Sequence, residues 1–225
     1  MEIKLRNSKS KNIEVKNKII SLQETNNLVY KHLIEDYNPV VVDNKNLYFV
    51  SDTVLDELTL INKYPELEVL GNILKLFGYT NEFFDKNIKD LSTTEKICLN
   101  ILRNVEKAKD IIVFNNLFLG LDLNSQKALV RIINYLCEIN YIVIIRSDDV
   151  NVLYKCADYS ILATKTIIKY DETDKIYTDV KYLMKHKFDV PTLSYITYKA
   201  KEEKNVRLFY RKDVRDIIKD IYKHV

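Results

Sequence analysis

Apolar positions along the chain fall into blocks of changing period, and the blocks alternate in a βα manner. The run Ile19-Ile20-Ser21-Leu22 and the triplet Val40-Val41-Val42 read as short buried strands, and Leu47 to Val50 reads as another. A helix-like stretch near Leu28 to Leu33 separates the first two. From Thr53 to about Asn104 the period turns helical, through Leu55, Leu58, Leu60 and Ile61, then Leu67, Leu70, Ile73, Leu74 and Phe77. Gly78 fits the C-terminus of that last helix. Ser92, with Glu95 three residues on, has the capping-box spacing and predicts a helix from about Thr93 to Val105. A strand over Ile111 to Phe114, a turn around Gly120 and a helix from about Ser125 to Ile139 come next. Tyr141 to Ile145 is an apolar run that predicts burial on both faces, as in a parallel sheet. A helix over Val150 to Cys156 and a strand over Tyr159 to Ala163 follow. Beyond Thr166 the pattern predicts two strand-like pieces, a helix over Tyr177 to Lys187, and helices over Thr192 to Glu203 and Arg211 to Tyr222.

At 225 residues the chain can bury a substantial core, and its mixed charges are those of a folded chain. The net charge of +3 gives no electrostatic case for nucleic acid. A basic, tyrosine-rich tail (Tyr195, Tyr198, Lys199, Lys201, Lys204, Arg207, Tyr210, Arg211, Lys212) reads as a solvated face over a tyrosine-lined core. Cys98, Cys137 and Cys156 are scattered in apolar contexts and predict reduced thiols, without metal-ligand spacing. His32, His186 and His224 are equally scattered, so neither a metal site nor a histidine triad is predicted. No apolar run approaches the roughly 20 residues that cross a bilayer. Any membrane role would come through a partner.

Glycine gives the most direct reading of function, by where it is missing. Gly71, Gly78 and Gly120 are the three glycines of the chain. Yet a basic apolar edge segment (Ile3, Leu5), the Ile19 strand, a turn and a helix open the chain as a nucleotide-binding domain opens. A phosphate loop at that turn needs bare backbone, a lysine and a hydroxyl. The turn reads Gln23-Glu24-Thr25-Asn26-Asn27 instead. A carboxylate there is predicted to point at phosphate, side chains fill the space, and no lysine stands at the helix entrance. The expectation is a degenerate loop that does not cradle a triphosphate.

Taken in order, the pieces resemble the ATP-binding subunit of an ABC transporter, a family in which two such domains sandwich two ATP molecules. Leu91-Ser92-Thr93-Thr94-Glu95 resembles the signature L-S-G-G-Q/E, with Lys96 and Arg103 at basic positions of the helix that follows. A serine hydroxyl and free amides at a helix N-terminus suit the γ-phosphate of a nucleotide held by the opposite subunit. Leu74-Lys75-Leu76-Phe77-Gly78-Tyr79 through Asp85 resembles the lead-in to the signature. Gly120-Leu121-Asp122 resembles the D-loop, and Ala157-Asp158-Tyr159 the A-D-R before the last core strand. Residues 171–177 and Phe188-Asp189-Val190-Pro191 resemble the G-x-P-x-E-V-F and L-D-V-P segments of energy-coupling-factor (ECF) importers. The resemblance implies an α/β P-loop NTPase core over 1–167, with a helical subdomain at about 52–104. A small C-terminal α/β appendage over 168–225 would help hold an ATPase pair together.

The departures from that pattern fall on the chemistry. The Walker B strand should end in an aspartate for magnesium and a glutamate for the attacking water; here Ile111 to Phe114 ends in Asn115-Asn116. Ile145-Arg146-Ser147-Asp148 stands where the family has V-T-H-D, so Ser147 replaces the switch histidine, although Ser147, Asp148 and Asp149 also suit a plain helix N-cap. Ser51 takes the place of the Q-loop glutamine that couples to a membrane subunit. Such losses cost on the order of 10² to 10⁵ in rate per essential group. Thr93 and Thr94 add Cβ groups where glycines let phosphate approach, while Ser92 keeps its hydroxyl.

These features predict a catalytically degenerate ABC/ECF-type subunit with no nucleotide in its own site, and no metal. It would pair with an active ATPase paralogue that holds Mg-ATP, lend Ser92, Thr93, Thr94, Glu95 and Asp122 to that site, and couple through Ser51 to a membrane subunit. Its place would be cytoplasmic, at the inner face of the membrane. Two alternatives stay open at this point: a scaffold or regulator without a transport role, and an ATPase with a noncanonical nucleotide site.

Overall fold

A computed structural model describes residues 2–5, 13–16, 19–45, 47–165, 168–204, 206 and 208–222. Arg207 and His224 lie outside the described residues. Strands β1 (Glu2–Leu5) and β2 (Ile13–Lys16) form a two-stranded sheet. The rest falls into two compact units, one centred on Leu33–Arg146 and one gathering Ile20–His32 with the chain from Ser147 onward.

The first unit holds a parallel array of β4 (Val40–Val42), β5 (Ile111–Asn115) and β6 (Ile142–Arg146). Val40 is in register with Ile112, and Ile112 with Val143. Ile112, Val113, Phe114, Ile142, Val143 and Ile145 are fully buried. That is the physical reason these strands read as unbroken apolar runs: both faces are covered, so no polar alternation is selected. Helices α2 (Val54–Thr59), α3 (Leu67–Phe77), α4 (Thr93–Lys107) and α5 (Leu123–Glu138) complete the unit. The α4 helix packs on β4, α5 on β6, and α3 on both α4 and α5. Burying Leu70, Ile73 and Leu74 along one face of α3 contributes about 1.5–3 kcal/mol per side chain. Gly78 closes α3 at φ +88°, a left-handed turn that a Cβ would strain.

The strand expected over Leu47 to Val50 does not form; this stretch is irregular. Its backbone is satisfied by side chains instead of a neighbouring strand, as detailed below.

In the second unit β3 (Ile19–Glu24) runs parallel to β7 (Tyr159–Ala163), and β8 (Ile168–Glu172) lies antiparallel on β7. Ser21 and Ser160 are in register and share a buried hydroxyl bond of 2.6 Å, extended to Thr173 at 2.8 Å. Buried hydroxyls bonded to one another avoid the cost of unpaired polar burial. Helices α6 (Val150–Cys156), α7 (Thr173–Tyr177), α8 (Val180–Lys185), α9 (Thr192–Lys204) and α10 (Val214–Tyr222) follow.

Three expectations for this part need correcting. Among the described residues one strand, β8, follows Thr166 rather than two pieces. The helix expected over Tyr177 to Lys187 is shorter, Val180–Lys185, because Asp179 caps it by accepting the Tyr182 amide at 3.2 Å, and Thr173–Tyr177 forms a separate helix before it. The last helix starts at Val214 rather than Arg211, since Asp213 accepts the Arg215 amide at 2.9 Å as a cap does.

Candidate functional site

The strand–turn–helix at residues 19–37 was expected to bend over Gln23 to Asn27. Gln23 and Glu24 instead finish β3, and the bend is confined to Thr25, Asn26 and Asn27. Asn27 takes φ +54°, which asparagine tolerates better than most residues. Helix α1 (Leu28–Tyr37) then leaves its first amides without helical partners, as every helix does. All of them find acceptors inside the chain. The Asn26 Oδ1 accepts the Leu28 amide at 3.4 Å. The Glu24 carboxylate accepts the Val29 amide at 3.0 Å and the Tyr30 amide at 3.2 Å. The first helical bond, Lys31 to Asn27, follows at 3.0 Å. The Glu24 carboxylate therefore caps its own helix, at the helix N-terminus where a phosphate would otherwise bind. Gln23 donates from Nε2 to Asp189 at 3.2 Å, and Thr25 donates its amide to Ala163 at 3.1 Å. Among the described residues Asn26 Nδ2 is buried with no partner.

At the end of β5, Asn115 and Asn116 supply neutral amides. The Asn116 amide donates to the Arg146 carbonyl at 2.8 Å, and Asn116 itself sits at φ +53°. Arg146 Nη1 approaches Asn115 Oδ1 at 3.5 Å. A guanidinium beside neutral amides suits no divalent cation, which wants carboxylate oxygens. Ser147 spends its hydroxyl oxygen on the Asp149 amide at 3.1 Å, and Asp149 caps α6 through the Asn151 amide at 2.9 Å. The cap reading of this trio is the one realised.

The signature-like segment sits where expected, at the head of α4. Ser92 accepts the Glu95 amide at 3.3 Å, and Glu95 accepts the Ser92 amide at 2.9 Å, a closed capping box. Lys86 pairs with the Glu95 carboxylate. That hydrogen bond, with those from Ser92, holds the Glu95 carboxyl down to about 2 against the opposing effect of burial. Thr93 and Thr94 form the first turn of α4. Asp122 caps α5, accepting the Asn124 and Ser125 amides at 2.8 and 3.1 Å and the Ser125 hydroxyl at 2.7 Å. The hydroxyl bond, then the amide bonds, lower its carboxyl below the usual range. Leu119 and Leu123, on either side of this loop, are 69 % and 75 % exposed.

Ser51 belongs to a clamp that the sequence reading missed in part. Glu57, 3 % exposed, accepts the Val50 amide at 3.0 Å and the Ser51 amide at 3.1 Å. Arg103 bonds Glu57 at 3.1 Å, the Tyr48 carbonyl at 2.8 Å and Asn100 at 3.1 Å, and its guanidinium lies 4.9 Å from the Phe49 ring centroid. Burial pushes the Glu57 carboxyl up, but the Val50 and Ser51 amides and Arg103 outweigh it, and the net shift is downward. Tyr48 and Val50 are thereby left 82 % and 84 % exposed. Just beyond, Asp52 and Val54 exchange backbone bonds with Ile88 and Lys86 at 2.8 and 3.1 Å, tying this segment to the lead-in of the signature. Arg103 had been singled out in the sequence. Glu57 had not, although an acid between Val54 and Leu58 on an apolar helix face is the signal that finds it.

Among the described residues no group of three or more His, Cys, Asp or Glu is placed to hold a metal ion. Nor is any described helix long and apolar enough to cross a membrane. The donors that Mg-ATP needs at a phosphate loop do not match the residues present: the α1 amides are taken, no lysine stands at the helix entrance, and β5 ends in amides.

No protein-family model matches this chain. No curated protein matches it either. Among solved structures, it is similar to a metal-chelate type ABC transporter in an inward-facing conformation, at 18% identity and TM-score 0.58 over 76% of this chain and 79% of that one. It is also similar to CbiO1 from Clostridium perfringens, part of the ABC transporter complex CbiONQ, at 15% identity and TM-score 0.60 over 87% of this chain and 96% of that one. The chain thus has a mixed α/β, parallel-dominated fold like that of these ABC transporter chains.

Proposed function

We propose that this chain is an ATP-binding-type subunit of an ABC transporter, of the ECF kind, whose own nucleotide site is degenerate. It pairs with an active ATPase paralogue and couples to a membrane subunit for import of a small solute. The observation that carries this reading is the division of labour among its motifs. Where a phosphate loop and Walker B strand would hold Mg-ATP, Glu24, Asn115 and Asn116 offer the wrong chemistry. Where a subunit serves its partner, the frame is kept: Ser92 and Asp122 stand at helix N-termini in the expected order, with exposed leucines beside Asp122.

Mg-ATP in this reading is held mainly by the partner, and Ser92 lends it a hydroxyl. The segment around Ser51, with Tyr48 and Val50 projecting into solvent, is the surface offered to the membrane subunit. In this reading the chain sits at the cytoplasmic face of the membrane. The C-terminal part beyond residue 167 serves the pairing of the two ATPases.

Purification of the tagged chain from its native membranes tests this. The expected result is recovery, in stoichiometric amounts, of an ATPase with intact Walker motifs together with a protein of several membrane spans. Recovery of the chain alone, or only with proteins lacking membrane spans, contradicts the transport reading and favours the scaffold.

A further inference from the structure

We infer that the groove between α3 and α5 is a docking site for an extended acidic segment of a partner protein. The groove lies wholly within the first unit, and none of the residues used below belongs to the degenerate nucleotide positions.

Two antiparallel helices build it. Asn124, Ala128, Arg131, Tyr135 and Glu138 follow one another along α5 at steps of four, three, four and three, which puts them on one face. Asn72, Lys75 and Leu76 share a face of α3 in the same way. Two bonds, one helical turn apart, bridge these faces. Asn72 Nδ2 donates to the Tyr135 hydroxyl oxygen at 3.1 Å, and Arg131 Nη2 donates to the Leu76 carbonyl at 3.1 Å. Beside the bridges lie two adjoining cavities. The larger, about 530 Å³, is lined from Asn72 and Lys75 to Tyr135 and Glu138. The smaller, about 220 Å³, shares Lys75, Leu76 and Arg131 with it and continues to Asn124 at the head of α5. From Asn124 to Glu138 the helix axis advances about 20 Å. That is the reach of an extended segment of about six residues.

Charge decides what fits. Lys75 and Arg131 are exposed where the two cavities join, and Lys127 stands one turn from Arg131 on α5. Among the described residues the Lys75 and Lys127 side chains have no hydrogen-bond or ion-pair partner. The Arg131 guanidinium is held through one nitrogen by Leu76, which fixes it and leaves the rest of its fork free. A fixed guanidinium fork takes a carboxylate through two parallel bonds. Tyr135 accepts from Asn72 and so keeps its own hydroxyl proton to donate. Of the described residues lining the two cavities, Glu138 alone is anionic, and it stands at the far end from Asn124. Asp122, just outside, spends its carboxylate on the cap of α5. A row of unpaired cationic donors attracts and orients a negatively charged partner. Small-molecule sites are lined mainly by apolar side chains. Here Leu76 is the one aliphatic residue among the described lining of the larger cavity, so a polar, extended chain suits it better.

Fluorescence anisotropy of labelled hexaglutamate against the full chain tests the assignment. Saturable binding is expected, with none for hexaglutamine at the same concentrations. Lys75→Glu/Arg131→Glu raises Kd at least about tenfold, as removal of one side of a charge pair does. Lys201→Glu/Lys204→Glu, at exposed positions of α9, changes the net charge equally. At physiological salt, where distant charges are screened, this second pair leaves Kd within about twofold. Because Arg131 also holds the end of α3, Lys75→Glu alone, which breaks no bond of the fold, must weaken binding too. The assignment is overturned if hexaglutamate does not bind, if Lys75→Glu leaves Kd unchanged, or if the two double variants lose affinity equally. It is overturned as well if free glutamate, at six times the concentration, competes as effectively as unlabelled hexaglutamate, since the site would then read one carboxylate rather than a chain. The readout uses the chain alone, so its failure leaves the proposed pairing and transport role standing.

Discussion

Lys86 and Glu95 meet at the head of α4, and their pairing makes stability a function of pH. The Lys86 hydrogen bond is the largest influence on Glu95, followed by opposing burial and the Ser92 bonds, and together they lower its carboxyl from 4.5 to about 2. A carboxyl depressed in the folded state stabilises the fold above its unfolded value and loses that contribution as pH falls through the folded one. The contribution of Glu95 is therefore complete above about pH 4.5 and is lost between there and about pH 2. Asp122, Asp171 and Asp213 are depressed too, so the whole chain loses stability in acid and only a difference isolates Glu95. We expect the gap in melting temperature between wild type and Glu95→Gln to be constant from pH 5 to 7 and to close below it. A gap that does not change with pH would show that the ion pair and capping box do not depend on the charge.

At the scale of elements, the clamp between α2 and α4 shows how a segment without a strand partner is held. Breaking a buried ion pair leaves an uncompensated charge and costs on the order of 3–5 kcal/mol, whereas removing both partners costs less. Urea denaturation should therefore place Arg103→Met about 3 kcal/mol or more below wild type, and Glu57→Gln/Arg103→Met above the single variant. Equal stabilities for the single variant and wild type would mean that the guanidinium contributes nothing to the 48–51 segment. Arg103→Lys is not a substitute, because one ammonium cannot reach Glu57, Tyr48 and Asn100 from a planar fork. The clamp also explains what the sequence could and could not disclose. Local signals read true: Gly78 ends α3, Ser92 and Glu95 close a box, and the apolar runs of β5 and β6 pair in parallel. Leu47 to Val50 has strand-like composition, yet Glu57 and Arg103, from distant positions, satisfy its backbone. The role of Glu24 was legible only in part, for the same reason. Its partners are the amides of the next helix, and a period of apolar residues says nothing about where a carboxylate turns.

Across the whole molecule, one fold carries two kinds of change. The hydrophobic framework resembles that of the ABC transporter chains at 15–18% identity, while Glu24, Asp122 and Asp149 cap helices of this chain. Framework and chemistry respond to different constraints: the first needs only apolar volume in the right period, the second needs particular charges at particular points. That separation is why the fold could be read from motif order. The direction of the Glu24, Ser147 and Asp122 side chains could not. Calorimetric titration of the purified chain with Mg-ATP tests the central claim most directly. The account predicts no saturable binding at millimolar nucleotide and no phosphate release. A micromolar dissociation constant for the isolated chain, abolished by a substitution within residues 23–27, would contradict it.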